Sequence, residues 1–190
     1  MAAGDFNDDG WPDIYVGVAG YSNRLFLNDG AGGFQDATSV EIGDEGDAFT
    51  LTVGDIDNDG DLDIFQAAGG TDEEGSYRSL MLLNLGDGQF LDVTEGVGLG
   101  VGVVGISTNG VTFADVDNDG DLDLFVGMSL YEESDDEPFP LLLLNDGSGT
   151  FVDQTAASGI EDFGAYVAVG DYDEDGFVDL LFASFPREVN

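Results

Sequence analysis

Sixteen oxygen-bearing side chains recur in this sequence at a fixed spacing that suits the binding of a hard metal ion. They sit in four loops: DFNDDGWPD from Asp5, DIDNDGDLD from Asp55, DVDNDGDLD from Asp115 and DYDEDGFVD from Asp171. Positions 1, 3, 5 and 9 of each loop are Asp, except for Asn7. Carboxylate and carboxamide oxygens on alternate residues of a short loop can surround one Ca²⁺ ion. The glycine at position 6 (Gly10, Gly60, Gly120 or Gly176) lets the backbone turn sharply enough to bring both arms onto it. Without a cation, four carboxylates converging on one turn would repel one another strongly. The alternative is a set of metal-free acidic turns.

The loops are spaced by 50, 60 and 56 residues, a period that points to a propeller, solenoid or array. The similarity extends beyond them. A β-rich stretch precedes the second, third and fourth loops (residues 49–53, 111–113 and 166–169), and an apolar run follows every loop (14–16, 64–65, 124–126 and 180–182). A third run (25–27, 80–83 and 141–144) is apolar on both faces, as in a strand packed between neighbouring sheets. It leads into NDGAGGF from Asn28, NLGDGQF from Asn84 and NDGSGTF from Asn145, read as hairpin turns in which Asn and Gly adopt positive φ. A fourth short strand follows as FQDAT, FLDVT and FVDQT, with its Phe expected inside and its Asp outside.

One repeat is thus a four-stranded up-and-down meander, and such sheets at this period are blades of a β-propeller. The fold class is all-β, with about three and a half blades here, expected to belong to a larger ring of about seven. The repeats divide at about 1–46, 47–105, 106–161 and 162–190, the last incomplete, and ring completion would come from the rest of a parent chain or from a second copy. The calcium loops and the NxGxG turns should share one face. The variable segments 69–76, 97–109 and 130–140 should share the other, either as solvated loops or as a partner-binding rim.

Composition excludes several functions. The 190 residues carry 41 acids against three arginines, with no lysine or histidine, for a net charge of −38. No basic patch can form, so nucleic acids and anionic membrane surfaces are excluded as partners. An apolar content of 42% still supports a packed core. With no cysteine or histidine, thiol catalysis, disulfides, imidazole bases and zinc sites of the usual kinds fall away. No apolar run suggests membrane insertion, and the first residues do not read as a signal peptide. Extracellular calcium modules bind at roughly 10⁻⁴–10⁻³ M, which points to a secreted, periplasmic or cell-surface setting.

An EF-hand also begins DxDxDG, but it requires a bidentate Glu at position 12 and flanking helices. Position 12 here is Val16, Gln66, Val126 or Phe182, and the flanks read as strands. The sequence instead resembles the FG-GAP/VCBS repeats of integrin alpha-like propellers, carried by the loop between two strands, the [RS]LxLN[DL]GxGxF run and the FxDxT strand. It is most similar to the cartilage-acidic-protein type that often accompanies an ASPIC/UnbV domain, although no such domain is present. The resemblance implies Ca²⁺ held through loop positions 1, 3, 5 and 9, and through the carbonyl at position 7. The implied ligands are Asp5, Asn7, Asp9, Trp11 and Asp13; Asp55, Asp57, Asp59, Asp61 and Asp63; Asp115, Asp117, Asp119, Asp121 and Asp123; and Asp171, Asp173, Asp175, Phe177 and Asp179. About four ions per chain are expected, the first site being the weakest because Asn7 lowers its charge and Pro12 sits in its loop.

The function expected is a non-enzymatic, calcium-clamped scaffold for adhesion or for binding a protein or glycan. The alternative is the propeller fragment of an extracellular enzyme such as a polysaccharide lyase, which would have to work with Asp, Glu, Tyr or Arg. Tyr21, Tyr77 and Tyr131 recur near the strand 2–3 connections, and Arg24 and Arg78 just before strand 3. These positions read as repeat structure.

Overall fold

A computed structural model describes residues 1–18, 21–42, 48–68, 79–99, 108–128, 140–160 and 166–183. Three four-stranded antiparallel sheets follow one another along the chain. The first comprises β1 (Ala2–Gly4), β2 (Asp13–Val16), β3 (Arg24–Asn28) and β4 (Phe34–Asp36). The second comprises β5 (Ala48–Gly54), β6 (Asp63–Ala68), β7 (Leu80–Asn84) and β8 (Phe90–Asp92). The third comprises β9 (Thr108–Ala114), β10 (Asp123–Met128), β11 (Leu141–Asn145) and β12 (Phe151–Asp153). A one-turn helix, α1 (Thr155–Ser158), leads on towards a two-stranded sheet of β13 (Tyr166–Gly170) and β14 (Asp179–Ala183). Strand order within each sheet is the order in sequence. These are propeller blades, and among the described residues they do not close into a ring.

Register fixes the acidic loops in the same place in every blade. The residue before loop position 1 pairs with the Asp at position 9: Gly4 with Asp13, Gly54 with Asp63, Ala114 with Asp123 and Gly170 with Asp179. The first strands of successive blades lie side by side, β1 by β5, β5 by β9 and β9 by β13. A side chain at Gly54 would place its Cβ 2.6 Å from Leu122 Cδ1 of the next blade, so glycine there lets the blades approach without displacing that leucine.

The core lies between blades. Strand alternation sends Ile64 and Leu82 of the second blade towards the first, where they join Phe6, Tyr15 and Leu25. The paired residues beside them, Phe65 after Ile64 and Met81 before Leu82, face the third blade and meet Leu124, Leu143 and Phe151. The middle blade is therefore buried on both faces, which explains why β7 reads as apolar on both faces and why even Gln66 of β6 is buried. Tyr15 Oη donates to Gln66 Oε1 across the first junction at 2.8 Å, both side chains being buried.

Two expectations need correction. Phe90 and Phe151 point inwards, but Phe34 is 49% exposed, because it lies on the flank of the first blade that faces no neighbour among the described residues. Asn28, Asn84 and Asn145 do not adopt positive φ. The turns after them take it at Gly30, Gly32, Gly86, Asp87, Gly88, Gly147 and Gly149, while each Asn remains the last residue of its strand.

Candidate metal centres

Each acidic loop is built around its first and last carboxylates. The position-1 Asp accepts the backbone N–H groups of positions 5 and 6. In the second loop these reach Asp55 Oδ1 and Oδ2 at 3.1 and 3.0 Å, and the other three loops repeat the pair within a few tenths of an ångström. The arrangement needs left-handed backbone at position 4, occupied by Asp8, Asn58, Asn118 or Glu174 at φ from 55° to 65°. Position 6 is glycine at φ from 89° to 100°, where an L side chain would be strained.

The position-9 Asp ties the loop to the sheet. Asp63 Oδ2 accepts Ile56 N–H at 2.9 Å and its Oδ1 accepts Asn84 N–H at 2.8 Å, so one carboxylate joins the loop to β7. Asp13 and Asp123 repeat both bonds, and Asp179 repeats the first with Tyr172. Asp13, Asp63 and Asp123 are buried.

Between these two residues points the side chain at position 3. Positions 1, 3 and 9 bring one oxygen each within 4.8 Å of one another in three loops: Asp55, Asp57 and Asp63; Asp115, Asp117 and Asp123; Asp171, Asp173 and Asp179. The first loop has Asp5, Asn7 and Asp13 in the same places, so it lacks the third carboxylate. Asn7 Nδ2 donates to Asp9 Oδ2 at 3.0 Å, and its Oδ1 is buried without a partner. Asp57 Oδ1 is likewise buried and unpartnered. Buried polar atoms are almost always satisfied, so two position-3 oxygens buried without a protein partner suit coordination of a cation. The donor set is all oxygen, which suits a hard divalent ion.

Electrostatics agree with that fit. Burial raises the Asp63 pKa to about 7, against the pull of the Ile56 and Asn84 N–H groups, and the Asp57 and Asp59 carboxylates raise it further. Burial, and secondarily the neighbouring Asp59 or Asp119 carboxylate, also raises the Asp57 and Asp117 pKa values. Asp123 is raised chiefly by burial.

The remaining implied ligands fall differently. The position-5 residues Asp9, Asp59, Asp119 and Asp175 lie outside the close oxygen groups, and their Oδ1 atoms accept the N–H of position 7 at 2.9–3.0 Å. Those position-7 residues, Trp11, Asp61, Asp121 and Phe177, are placed by that bond at the turn of the loop. The acidic loops and the strand 3–4 turns do share a face, since an added side chain at Gly86 would lie 3.4 Å from Asp61 Oδ2. The segments expected on the opposite face, 69–76, most of 97–109 and 130–139, lie outside the described residues, as do Tyr77, Arg78 and Tyr131. Tyr21 is exposed, and Arg24 Nη1 pairs with Asp36 Oδ2 at 3.1 Å with both groups half in water, a pairing of little energetic weight.

Sequence reading missed two sets of residues. Asn84 Nδ2 donates to Leu62 O at 3.2 Å in its own blade and to Phe6 O at 3.0 Å in the first. Asn145 repeats this with Leu122 O at 3.1 Å and Ile56 O at 2.7 Å. These amides clasp each blade to the preceding acidic loop, between its ligand positions 1 and 3. In the FxDxT strands, Asp36, Asp92 and Asp153 accept the N–H of the following Thr, whose hydroxyl in turn accepts a β3, β7 or β11 N–H at 2.9–3.1 Å. Recurrence of these residues in the three repeats is the available signal, but in sequence the Asn reads as turn chemistry and the FxDxT run as strand alternation.

Fold and site together define a class: β-propeller blades whose strand 1–2 loop is an acidic cluster able to hold a metal ion. The chain belongs to the FG-GAP-like repeat family, whose model matches residues 5–65 and 70–126. No curated protein matches the sequence.

Proposed function

We propose that this chain is a calcium-stabilised propeller region of a secreted or cell-surface protein, acting without catalysis as a scaffold for adhesion or for binding a protein or glycan. The observation that carries this reading is the convergence of positions 1, 3 and 9 in three loops, with the position-3 Oδ1 atoms of Asn7 and Asp57 buried and without a hydrogen-bond partner. Calcium would join the loop carboxylates and remove their repulsion, and each ion would stabilise the fold by binding the native state alone. Family membership and the oxygen-only donor set support calcium, and the acidic surface suits millimolar-calcium surroundings. The partner would bind on the face opposite the calcium loops.

Thermal unfolding in calcium, in magnesium and in chelator, with calorimetric titration, tests the proposal. We expect a calcium-specific rise in Tm and up to four sites per chain, the first of them weakest. Identical Tm values in all three buffers, with no heat of binding, would overturn it.

A further inference from the structure

We propose that the metal loops of neighbouring blades are coupled through the side chain at loop position 4, so that a cation bound in the second loop strengthens binding in the third. The coupling rests on the calcium reading proposed above and adds the contact that links one site to the next.

Position 4 lies between the candidate ligands at positions 3 and 5, on left-handed backbone. In the second loop it is Asn58, at φ 60°, and its side chain leaves the loop altogether. Asn58 Nδ2 donates to Asp121 Oδ1 at 2.8 Å, in the third loop and 63 residues along the chain. Asp121 stands at position 7 there, the position whose carbonyl the family resemblance implies as a ligand. Its own N–H is held by Asp119 Oδ1 at 3.0 Å. Its carboxylate lies over the strand 3–4 turn, where a Cβ added to Gly147 would stand 2.6 Å from Oδ2. The residue is therefore fixed from three sides, and one of them is the metal loop of another blade.

An ion in loop 2 would hold positions 3 and 5, and so would hold Asn58 between them in the orientation that reaches Asp121. Part of the ordering that loop 3 undergoes on binding is then complete before its own ion arrives. That is positive coupling without any added ligand, and it acts equally in both directions. Repulsion between the two ions opposes it. The hydrogen bond has a charged acceptor, which strengthens it, but it is exposed to water. The coupling accordingly lies at the low end of the usual range, about fivefold in affinity.

The other neighbouring loops show what the contact depends on. Between loops 1 and 2 the same places hold Asp8 and Asp61, two carboxylates with no hydrogen to share. Asp8 acts on Asp61 as a like charge instead, together with Asp59, Asp55 and Asp87. Between loops 3 and 4, Asn118 Nδ2 reaches the Gly176 carbonyl at 3.4 Å, one residue before position 7. Coupling through position 4 is thus strongest between loops 2 and 3, weak between 3 and 4, and missing between 1 and 2.

Hydrogen exchange of the whole chain, read by mass spectrometry along a calcium titration, gives each loop its own midpoint. Asp57→Ala disables loop 2 and spares the Asp55 and Asp63 bonds that shape it. Loss of a divalent ion and of one carboxylate leaves that loop more negative by one charge, so electrostatics alone would tighten loop 3. We expect the loop 3 midpoint to rise about fivefold instead, and not to rise when Asp57→Ala is made in an Asn58→Asp chain. Asp8 occupies position 4 at φ 55°, so an aspartate fits there and Asn58→Asp keeps the fold. Conversely, Asp8→Asn supplies the missing donor to Asp61, and disabling loop 1 with Asn7→Ala should then weaken loop 2, as it does not in the parent chain. A loop 3 midpoint that is unchanged or lowered by Asp57→Ala, or that shifts equally with and without Asn58, overturns the coupling and leaves the metal sites standing. Calcium that protects no loop from exchange overturns both.

Discussion

At loop position 9 one carboxylate has two tasks that conflict when no cation is present. Asp63 organises its loop by accepting two N–H groups, yet it is buried beside Asp57 and Asp59. Its raised pKa means that the metal-free native state holds a proton which the unfolded chain releases near the ordinary Asp pKa. From about pH 4 to 7 the native state binds more protons, so stability falls as pH rises through that window. We expect the chelated protein to be less stable near pH 8 than near pH 5, by on the order of a few kcal/mol. Calcium should flatten the slope by stabilising the ionised form, and denaturant melts at both pH values check this. The same balance governs position 3 of the first loop. Asn7→Asp completes the three-carboxylate pattern of the other loops, so calorimetry should show tighter calcium binding at that site, by about tenfold, a gain within the range over which ligand charge tunes such loops. The same variant should be less stable than the parent in chelator, because the added charge faces Asp5, Asp9 and Asp13 unneutralised.

Strands and loops were legible in the sequence because each carries a local signal. Alternation, the Asp ladder and the loop glycines lie within a few residues of one another, and β5 to β12 fall where the apolar runs predicted. The clasp between blades was not legible in this way. Asn84 finds its partner carbonyl 78 residues away and Asn145 finds its own 89 residues away, so no window of sequence contains both groups. The exposure of Phe34 was hidden for the same reason, since inside and outside are set by the neighbouring blade and not by the strand. The clasp also separates equivalent residues by their surroundings. Asn84→Ala or Asn145→Ala strands buried carbonyls on both sides of a junction and should cost about 2–4 kcal/mol. Asn28→Ala removes a partly exposed bond within one blade and should cost about 1 kcal/mol or less. Urea melts of the three variants measure the difference, and equal losses would show that the contact between blades contributes nothing.

On the scale of the whole molecule, the row of blades is close to one-dimensional, because each sheet buries its apolar faces against its immediate neighbours. Stability in such an array is a sum of blade terms and nearest-neighbour terms. A metal site then acts locally on its own hairpin and on the junctions that its loop enters. Loop 2 enters two, since Asp63 organises Asn84 for the contact with Phe6, and Ile56 receives Asn145. Loop 4 lies beyond the last of these clasps, and its hairpin meets the third blade through Phe182 on Phe125, ring centroids 5.1 Å apart. Removing one ligand at each place separates a chain of local units from a single cooperative body. In calcium, Asp55→Asn should speed amide exchange in β5–β8 and also in the facing strands of the first and third blades. Asp171→Asn should confine faster exchange to β13 and β14. Hydrogen exchange read by mass spectrometry resolves these segments. If Asp171→Asn loosened all four sheets equally, the blades would unfold as one unit, and the calcium loops would act as a common clamp on the molecule instead of one clamp for each blade.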